Sequence, residues 1–99
     1  MAHDFRQQIY EKITGGTIAN QTATFEDGCL SFTFINAGTL SCQIIWDDGS
    51  ITVLPSGAIL SREYIEKGIP TFSVDCATLG STTVHFCVTG LGINKITYV

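Results

Sequence analysis

Residues 41–57 carry the pattern that most limits what this chain can fold into. Cys42, Ile44 and Trp46 alternate with Ser41, Gln43 and Ile45, the pair Asp48-Gly49 follows, and an extended pattern resumes at Ser50. An Asp-Gly pair between two alternating runs favours a two-residue type I′ turn, because both central residues of that turn need a positive φ. Such a turn would place Trp46 opposite Ile51 and Ile44 opposite Val53, and so make one face of the hairpin apolar. The segment therefore predicts antiparallel β structure.

Short extended segments separated by turn residues recur along the rest of the chain. They follow one another roughly every 8–12 residues, which is typical of sandwiches and small barrels. No stretch after residue 16 is long and helical enough for the crossover that parallel strands need, so a parallel sheet is excluded. Trp46 on a central strand favours an immunoglobulin-like order. We therefore predict an all-β fold, an Ig-like antiparallel β-sandwich of about seven strands. A jelly roll would need one more strand than the pattern supplies.

A helical pattern precedes the first predicted strand. Phe5, Ile9 and Ile13 recur at every fourth position with polar residues between them, and Gly15-Gly16 follows as a stop signal. The pattern predicts a short N-terminal α-helix over residues 5–14. A helix of about ten residues is marginal alone in water, so its apolar stripe must pack against another surface.

The chain is predicted to form two parts, an N-terminal helical arm at residues 1–16 and a β-sandwich domain at residues 17–99. A chain of 99 residues commonly forms a single core. Two placements of the arm are open: it covers an open end of the sandwich, or it docks on a partner subunit. In the second case Phe5, Ile9 and Ile13 are contacts with that partner.

The charges and the N-terminal segment exclude several classes of partner. The chain has 5 Lys and Arg residues against 9 Asp and Glu residues, a formal net charge of −4, and the cations are scattered. Nucleic-acid binding and contact with an anionic membrane surface both need clustered cations, so neither is expected. The N-terminal segment lacks the apolar region of a signal peptide, and no run is long enough to span a membrane. Synthesis in the cytoplasm without a signal peptide is therefore expected.

Four cysteines, Cys29, Cys42, Cys76 and Cys87, admit three disulfide pairings that the sequence does not separate. Cys42 and Cys76 fall among apolar positions of their predicted strands, which suits core packing. Cys29 and Cys87 fall among serine, threonine and histidine positions. In a reducing compartment and with an adequate core, four free thiols are expected, and a single disulfide is the alternative.

The sequence contains no constellation that predicts catalysis or metal binding. His85 and Cys87 lie two apart on one predicted strand, so their side chains share a face but project in parallel, which is poor geometry for proton transfer. A zinc site needs three or four ligands, and no Cys-x-x-Cys or His-x-x-x-His spacing accompanies this pair. We therefore expect no catalytic residue, no cofactor and no metal site, and a chain that is not an enzyme.

Three segments share their turn chemistry with a known class of domain. Residues 34–38 form a Phe-x-Asn-x-Gly strand end, residues 54–57 a Leu-Pro-Ser-Gly turn, and residues 69–74 lead into a closing strand pair. In these motifs the chain resembles the small immunoglobulin-like domains of tailed-phage virion proteins, which include capsid decoration proteins and tail or fibre appendages. The resemblance implies a non-enzymatic virion structural protein, either a capsid decoration or a tail or connector component.

The expected partners are other virion proteins or copies of the same chain. Serine and threonine at outward strand positions, with few charges, suit tight contacts with other proteins. The candidate partner contacts are Phe5, Ile9, Ile13 and Tyr64. The alternative is a carbohydrate- or protein-binding β-sandwich module. Its binding end would be formed by the loops at residues 36–40, 61–68 and 77–80.

Overall fold

The structure is a computed structural model, and it describes residues 11–26, 29–63, 69–91 and 96–99. These residues form nine strands in two antiparallel sheets, which confirms the predicted all-β antiparallel sandwich. The strands are β1 (Glu11–Ala19), β2 (Thr22–Phe25), β3 (Cys29–Asn36), β4 (Cys42–Ile45), β5 (Ile51–Leu54), β6 (Ile59–Glu63), β7 (Phe72–Asp75), β8 (Thr83–Leu91) and β9 (Ile96–Tyr98). Within these ranges, no helix is long and apolar enough to cross a lipid bilayer.

The strand order is that of a jelly roll. One sheet has the order β1-β8-β3-β6 and the other the order β5-β4-β7-β2-β9. The pairs β1–β8, β2–β7, β3–β6 and β4–β5 are all antiparallel, so the first eight strands form one long hairpin rolled into two layers. The predicted immunoglobulin-like order is therefore corrected. In that order the first two strands are neighbours in one sheet, whereas here β1 and β2 lie in different sheets.

The strand that the sequence pattern lacked for a jelly roll is β1. The pattern joins residues 17–26 into one broken strand, but the chain changes sheet at Asn20. Asn20 has a φ of 54°, a left-handed conformation that asparagine tolerates better than most residues. Its N–H donates to Thr82 O at 3.2 Å, which holds the crossing point against the segment that leads into β8.

β1 begins at Glu11, inside the segment predicted as a helix. Residues 11–14 are therefore corrected from helix to strand, and residues 5–10 lie outside the described residues. β1 pairs with β8 along its whole length, and this ladder replaces the hydrogen bonds of a short helix that is marginal in water. A Cβ at Gly16 would lie 2.8 Å from Phe86 Cζ, so the glycine leaves room for that ring within the strand. β1 also runs past the predicted end of the N-terminal arm, so this part of the arm belongs to the sandwich.

The hairpin between β4 and β5 has a three-residue loop instead of the predicted two-residue turn. The Gly49 N–H donates to Trp46 O at 2.9 Å, and the Trp46 N–H donates to Ser50 O at 2.9 Å. Gly49 has a φ of 87°, as the last residue of a type I turn with a glycine bulge requires. Asp48 completes the loop by accepting hydrogen bonds from the Ser50 N–H and hydroxyl.

The longer loop shifts the pairing of β4 with β5 by one residue. Ile45 lies opposite Ile51, in the place that the predicted turn gave to Trp46. A one-residue shift exchanges the two faces of a strand. The predicted apolar face is therefore correct for Ile44, which is fully buried, but wrong for Ile51 and Val53, which are 53% and 52% exposed.

Aromatic side chains fill the space between the two sheets. The Phe25 ring stacks on Phe72 with centroids 5.1 Å apart. Phe34 and Phe86 meet Phe25 edge-on at 5.4 and 5.2 Å. Trp46 lies at the margin of this cluster, 5.5 Å from Phe72. Full burial of a phenylalanine contributes about 1.5–3 kcal/mol, so this cluster is the main attachment between the layers.

A buried asparagine organises one end of the sandwich, which we call the Asn36 end. The Asn36 side chain is fully buried, and its Nδ2 donates to Leu40 O at 2.8 Å and to Leu54 O at 2.9 Å. Its Oδ1 accepts from the Gly38 N–H and from the Thr82 hydroxyl, both at 3.0 Å. All the hydrogen-bonding capacity of the amide is used, and the loop after β3 is thereby fixed to β5 and to the segment before β8.

Candidate functional site

Exposed isoleucines lie on the outer face of the four-stranded sheet. Ile35 on β3 and Ile59 on β6 are directly opposite each other and are 39% and 64% exposed. Ile13 on the edge strand β1 is 73% exposed. The neighbouring outward positions carry hydroxyl side chains, namely Thr17, Ser31, Thr33, Ser61, Thr83 and Thr89. Together these residues define what we call the outer four-stranded face.

A shallow depression of about 440 Å³ crosses β3, β6 and β8 on this face. Within it the hydroxyls of Thr33 and Ser61 are hydrogen-bonded to each other at 3.0 Å. Arg62 and Glu63 line one end of the depression. The rest of its lining consists of apolar side chains and uncharged polar side chains.

The outer face of the five-stranded sheet carries a second apolar patch. Ile51 and Val53 are exposed on the edge strand β5, and Ile45 lies half-buried beside Ile51. Farther from this edge the face is polar, and the hydroxyls of Thr24 and Ser73 are hydrogen-bonded at 2.9 Å. Because the two sheets are the two layers of the sandwich, apolar side chains are exposed on both of its outer faces.

Two of the three loops predicted as a binding end lie together at the Asn36 end. The loop at residues 36–40 meets the loop at residues 77–80, since a Cβ at Gly80 would lie 2.5 Å from Leu40 Cδ1. Leu40 and Leu79 are each 44% exposed there. This end therefore presents a third, smaller apolar surface.

The third loop predicted for the binding end, residues 61–68, is corrected at residues 61–63, which form part of a strand. Its first three residues belong to β6, and Glu63 pairs with Ser31 at the beginning of β3, far from the loop that follows β3. Residues 64–68 lie outside the described residues. The three loops do not form one binding end in the described part of the chain.

Asp75 fixes the loop between β7 and β8. It is 7% exposed, its Oδ1 accepts hydrogen bonds from the N–H groups of Ala77 and Thr78, and its Oδ2 accepts from the Thr78 hydroxyl. Burial acts to raise the pKa of Asp75, but these hydrogen bonds and one from Thr22 outweigh it, so the pKa lies below its ordinary value. The carboxylate is therefore a structural cap that is stable in its ionised form.

The other charged side chains that the structure describes are concentrated at the opposite end of the sandwich. They are Glu26, Asp47, Asp48, Arg62 and Glu63. The Ser50 hydroxyl and N–H lower the pKa of Asp48. The Arg62 guanidinium lies over the Trp46 ring, 5.3 Å from its centroid. Among the described side chains, the two outer faces and the Asn36 end consequently carry few charges.

His85 and Cys87 are both exposed on β8, on the outer four-stranded face. Positions two apart on a strand are separated by about 6.6 Å, which is too far for direct proton transfer. The imidazole instead shares a hydrogen bond with the neighbouring strand, since Nδ1 lies 3.0 Å from Thr17 Oγ1. Among the side chains that the structure describes, no three His, Cys, Asp or Glu residues are grouped as a metal site would require.

Three of the four thiols are buried. Cys42 and Cys76 are buried as their patterns predict, and Cys87 is exposed. The sequence pattern groups Cys29 with polar positions, but its side chain is buried. A register shift between Cys29 and Ser31 turns it inward. Its Sγ donates to Ser31 O at 3.1 Å, and burial raises the pKa of the thiol.

Of the four predicted partner contacts, the structure describes Ile13, which is exposed at the edge of the outer four-stranded face. The other three, Phe5, Ile9 and Tyr64, lie outside the described residues. Sequence reasoning missed Ile35, although its alternation with the buried Phe34 placed it on the outside. It missed Ile51 because the exposure of that residue depends on the length of the hairpin loop.

A cleft of about 470 Å³ lies beside Trp46 at the charged end. Its lining combines the indole with the carboxylates of Asp47 and Asp48 and with hydroxyl groups. The Trp46 Nε1 donates to Thr52 Oγ1 at 2.9 Å, and the Arg62 guanidinium lies over the ring. The indole is therefore already engaged within the protein.

Comparison of the sequence with protein-family models and with curated proteins gives no match.

Proposed function

We propose that the chain is a non-enzymatic virion structural protein, a capsid decoration or a tail or connector component, that acts through protein–protein contacts. The observation that carries the proposal is the exposure of branched aliphatic side chains on both outer faces, with Ile35 and Ile59 on one layer and Ile51 and Val53 on the other. Clustered exposed apolar side chains mark interaction sites. Patches on opposite layers suit a subunit that contacts two neighbours.

The composition of the two faces supports protein contacts. The centre of a protein–protein interface is depleted of charged residues, and serine or threonine hydroxyls can be buried there when they are hydrogen-bonded. On the outer four-stranded face Thr33 and Ser61 already bond to each other. A partner can therefore cover the hydroxyls of Thr33 and Ser61 without leaving either of them without a hydrogen bond.

The strand order also supports the proposal. Jelly rolls of two antiparallel sheets are the architecture of many viral capsid domains, and lectin domains use it as well. Because one fold serves several functions, the surfaces decide between these uses. Here the exposed groups are aliphatic and uncharged, which favours contact with other proteins.

Particle association tests the proposal. Particles are collected by density-gradient sedimentation from cells that produce the chain from its natural genome, and each fraction is assayed by mass spectrometry. We expect the chain to sediment with particles in a fixed ratio to the other proteins present. A chain found only as free protein at the top of the gradient would contradict the proposal.

A surface variant locates the contact. The double variant Ile35→Ser, Ile59→Ser is compared with Leu79→Ser, which removes an equally apolar exposed side chain at the Asn36 end. We expect the double variant to fold but to be lost from particles, and the Leu79→Ser protein to remain attached. Equal retention of both would move the contact away from the outer four-stranded face.

Carbohydrate binding is the second candidate, and the cleft beside Trp46 is the observation that favours it. Sugars stack on exposed aromatic rings, and carboxylates and hydroxyls supply hydrogen bonds. Arg62 would have to leave the indole before a sugar could stack there. Binding on a glycan array that is abolished by Trp46→Ala would support this candidate, and an array without hits would exclude it.

A further inference from the structure

The side chains of Cys42 and Cys76 meet in the core. Both residues are fully buried. The ladder between β4 and β7 pairs Gln43 with Asp75, so the next position along each strand places Cys42 opposite Cys76. A hydrogen bond between the two thiols is also the main influence on the pKa of each. The two side chains therefore face each other between β4 and the segment that follows β7.

The hydrogen bonds around Cys76 identify the kind of strand pair that it forms with Cys42. The Cys76 N–H donates to Gln21 O at 3.0 Å, and the Cys76 carbonyl accepts from the Thr82 N–H at 3.2 Å. Because the Cys76 N–H bonds away from β4, Cys42 and Cys76 form a non-hydrogen-bonded pair, in which facing Cα atoms are about 4.5 Å apart. Disulfides span Cα separations of about 4.4–6.8 Å, so no movement of the strands is required.

The remaining thiols are placed differently. Cys87 is exposed on the outer four-stranded face, whereas Cys29 is buried beside Ser31 and donates to its carbonyl. A bond between these two would have to pass from the outer face into the core. Cys42 and Cys76 are the two cysteines that the register of neighbouring strands places opposite each other, since Cys29 faces Gly90 and Cys87 faces Thr33 and Gly15.

We propose that Cys42 and Cys76 are a disulfide site, at which two buried thiols are oxidised to a cystine that joins β4 to the segment following β7. The cross-link closes the chain between residues 42 and 76 while keeping the strand register. It restricts the unfolded chain, and the oxidised protein therefore melts at a higher temperature than the reduced protein.

A low-molecular-weight disulfide such as oxidised glutathione supplies the oxidising equivalents. Cys42 loses its proton and attacks one sulfur of the oxidant, which forms a mixed disulfide and releases one reduced thiol. Cys76 then loses its proton and attacks the Cys42 sulfur, which forms the protein S–S bond and releases the second reduced thiol. Two electrons pass from the protein to the oxidant, and the two protons end on the released thiols.

The surroundings of Cys42 and Cys76 affect the pKa of each thiol and the rate at which an oxidant reaches them. The hydrogen bond from Cys76 holds the pKa of Cys42 below its ordinary value, whereas that bond and burial raise the pKa of Cys76. Because both thiols are buried, an oxidant reaches them only when the surrounding structure opens locally, so oxidation is slow in the native protein and faster in dilute urea.

The test uses the full chain carrying Cys29→Ser and Cys87→Ser, with the wild-type chain in parallel. Each protein is incubated with oxidised glutathione with and without dilute urea, alkylated after unfolding, and digested with trypsin. Trypsin cuts after Arg62 and Lys67, which lie between the two cysteines. In the double variant we expect a monomer whose mass is lower by two hydrogen atoms. Its peptides 13–62 and 68–95 should stay joined until reduction, and its melting temperature should rise.

The wild-type chain should show two of its four thiols protected from alkylation. Its control is the chain carrying Cys42→Ser and Cys76→Ser, in which we expect no internal cross-link. Alkylation of both thiols in the Cys29→Ser, Cys87→Ser chain, under conditions that fully oxidise dithiothreitol, would overturn the proposal. An internal cross-link in the control chain would overturn it equally.

Discussion

Asn36 forms hydrogen bonds with four groups inside the Asn36 end: it donates to two carbonyls and accepts from one N–H and one hydroxyl. A buried polar group that loses its partner costs about 1–3 kcal/mol. We expect Asn36→Leu, which keeps a similar volume, to lower the free energy of unfolding by about 3–5 kcal/mol. Urea unfolding followed by tryptophan fluorescence measures the change.

The matched control replaces another amide by leucine. Gln43 lies on the outer face of the five-stranded sheet and is only partly buried. Gln43→Leu should change the free energy of unfolding by no more than about 0.5 kcal/mol. Equal free energies of unfolding for the two variants would show that the hydrogen bonds of Asn36 stabilise the fold no more than the contacts of Gln43 do.

Gly38 stands next to the same network and is limited by space. A Cβ at Gly38 would lie 1.9 Å from Thr82 Oγ1 and 2.8 Å from Thr83 N, and the second of these atoms is backbone. We expect Gly38→Ala to destabilise the protein by about 2–3 kcal/mol through this overlap. Gly57→Ala is the control, because Gly57 has a φ of 79° but nothing within 4 Å of an added Cβ. Its cost should be about 1 kcal/mol, and equal costs would show that space at Gly38 is not limiting.

Asp75 gives the stability of the protein a dependence on pH. Its pKa is lower in the folded state than in the unfolded chain, where a value of about 3.9 is usual, so its contribution is complete above that pH. As the pH falls through the lower, folded-state pKa, the contribution is lost. We expect Asp75→Asn to be less stable than wild type at neutral pH, and the difference to shrink as the solution is acidified below about pH 4.

The same titration with Asp47→Asn, at the exposed tip of the hairpin, is the comparison. Thermal melts between acid and neutral pH provide the measurement. A difference between Asp75→Asn and wild type that stayed constant with pH would show that the Asp75 cap works without its charge.

At the scale of single elements, β5 offers a direct check of the strand register. In the observed register Ile51 and Val53 point outward, whereas the register of a two-residue turn would bury both. We expect Ile51→Thr and Val53→Thr each to change the free energy of unfolding by less than about 1 kcal/mol, since threonine suits exposed strand positions. Ile44→Thr, on the inner face of β4, should cost about 2–4 kcal/mol. Large losses at Ile51 and Val53 in urea unfolding would favour the shorter turn.

The sequence predicts a strand correctly where residues close together in the chain determine its structure. The alternation through Phe32 and Phe34 identifies β3 and its inner face without further information. For β1 the local signal was misleading, because the glycine pair that resembles a helix end accommodates the Phe86 ring of a distant strand. The turn at Asp48 was misread because one additional loop residue changes the register, and the bulge at Cys29 is set by pairing with β8. Nonlocal packing decided each of these cases.

At the scale of the whole molecule, the positions of the candidate surfaces also depend on nonlocal packing, so the sequence predicts them only in part. Strand alternation alone places Ile35 on an outer face, but only the rolled arrangement of the strands shows that Ile35 and Ile51 lie on opposite layers. The separation of charge from these surfaces also follows from the topology. Apart from Asp75, the charged side chains that the structure describes lie at hairpin tips and strand ends that are gathered at one end of the sandwich, although they are spread along the sequence.

This separation of charge predicts how the contacts of the proposed virion protein respond to salt. Contacts made by exposed aliphatic and hydroxyl side chains do not depend on attraction between charges, which salt would screen. We expect the amount of chain bound to purified particles to be unchanged between about 50 and 500 mM sodium chloride, and to increase in sodium sulfate, which strengthens apolar burial. Sedimentation of particles followed by quantification of the bound chain gives the measurement. Release of the chain by sodium chloride alone would instead place the contact at the charged end, around Asp47 and Arg62.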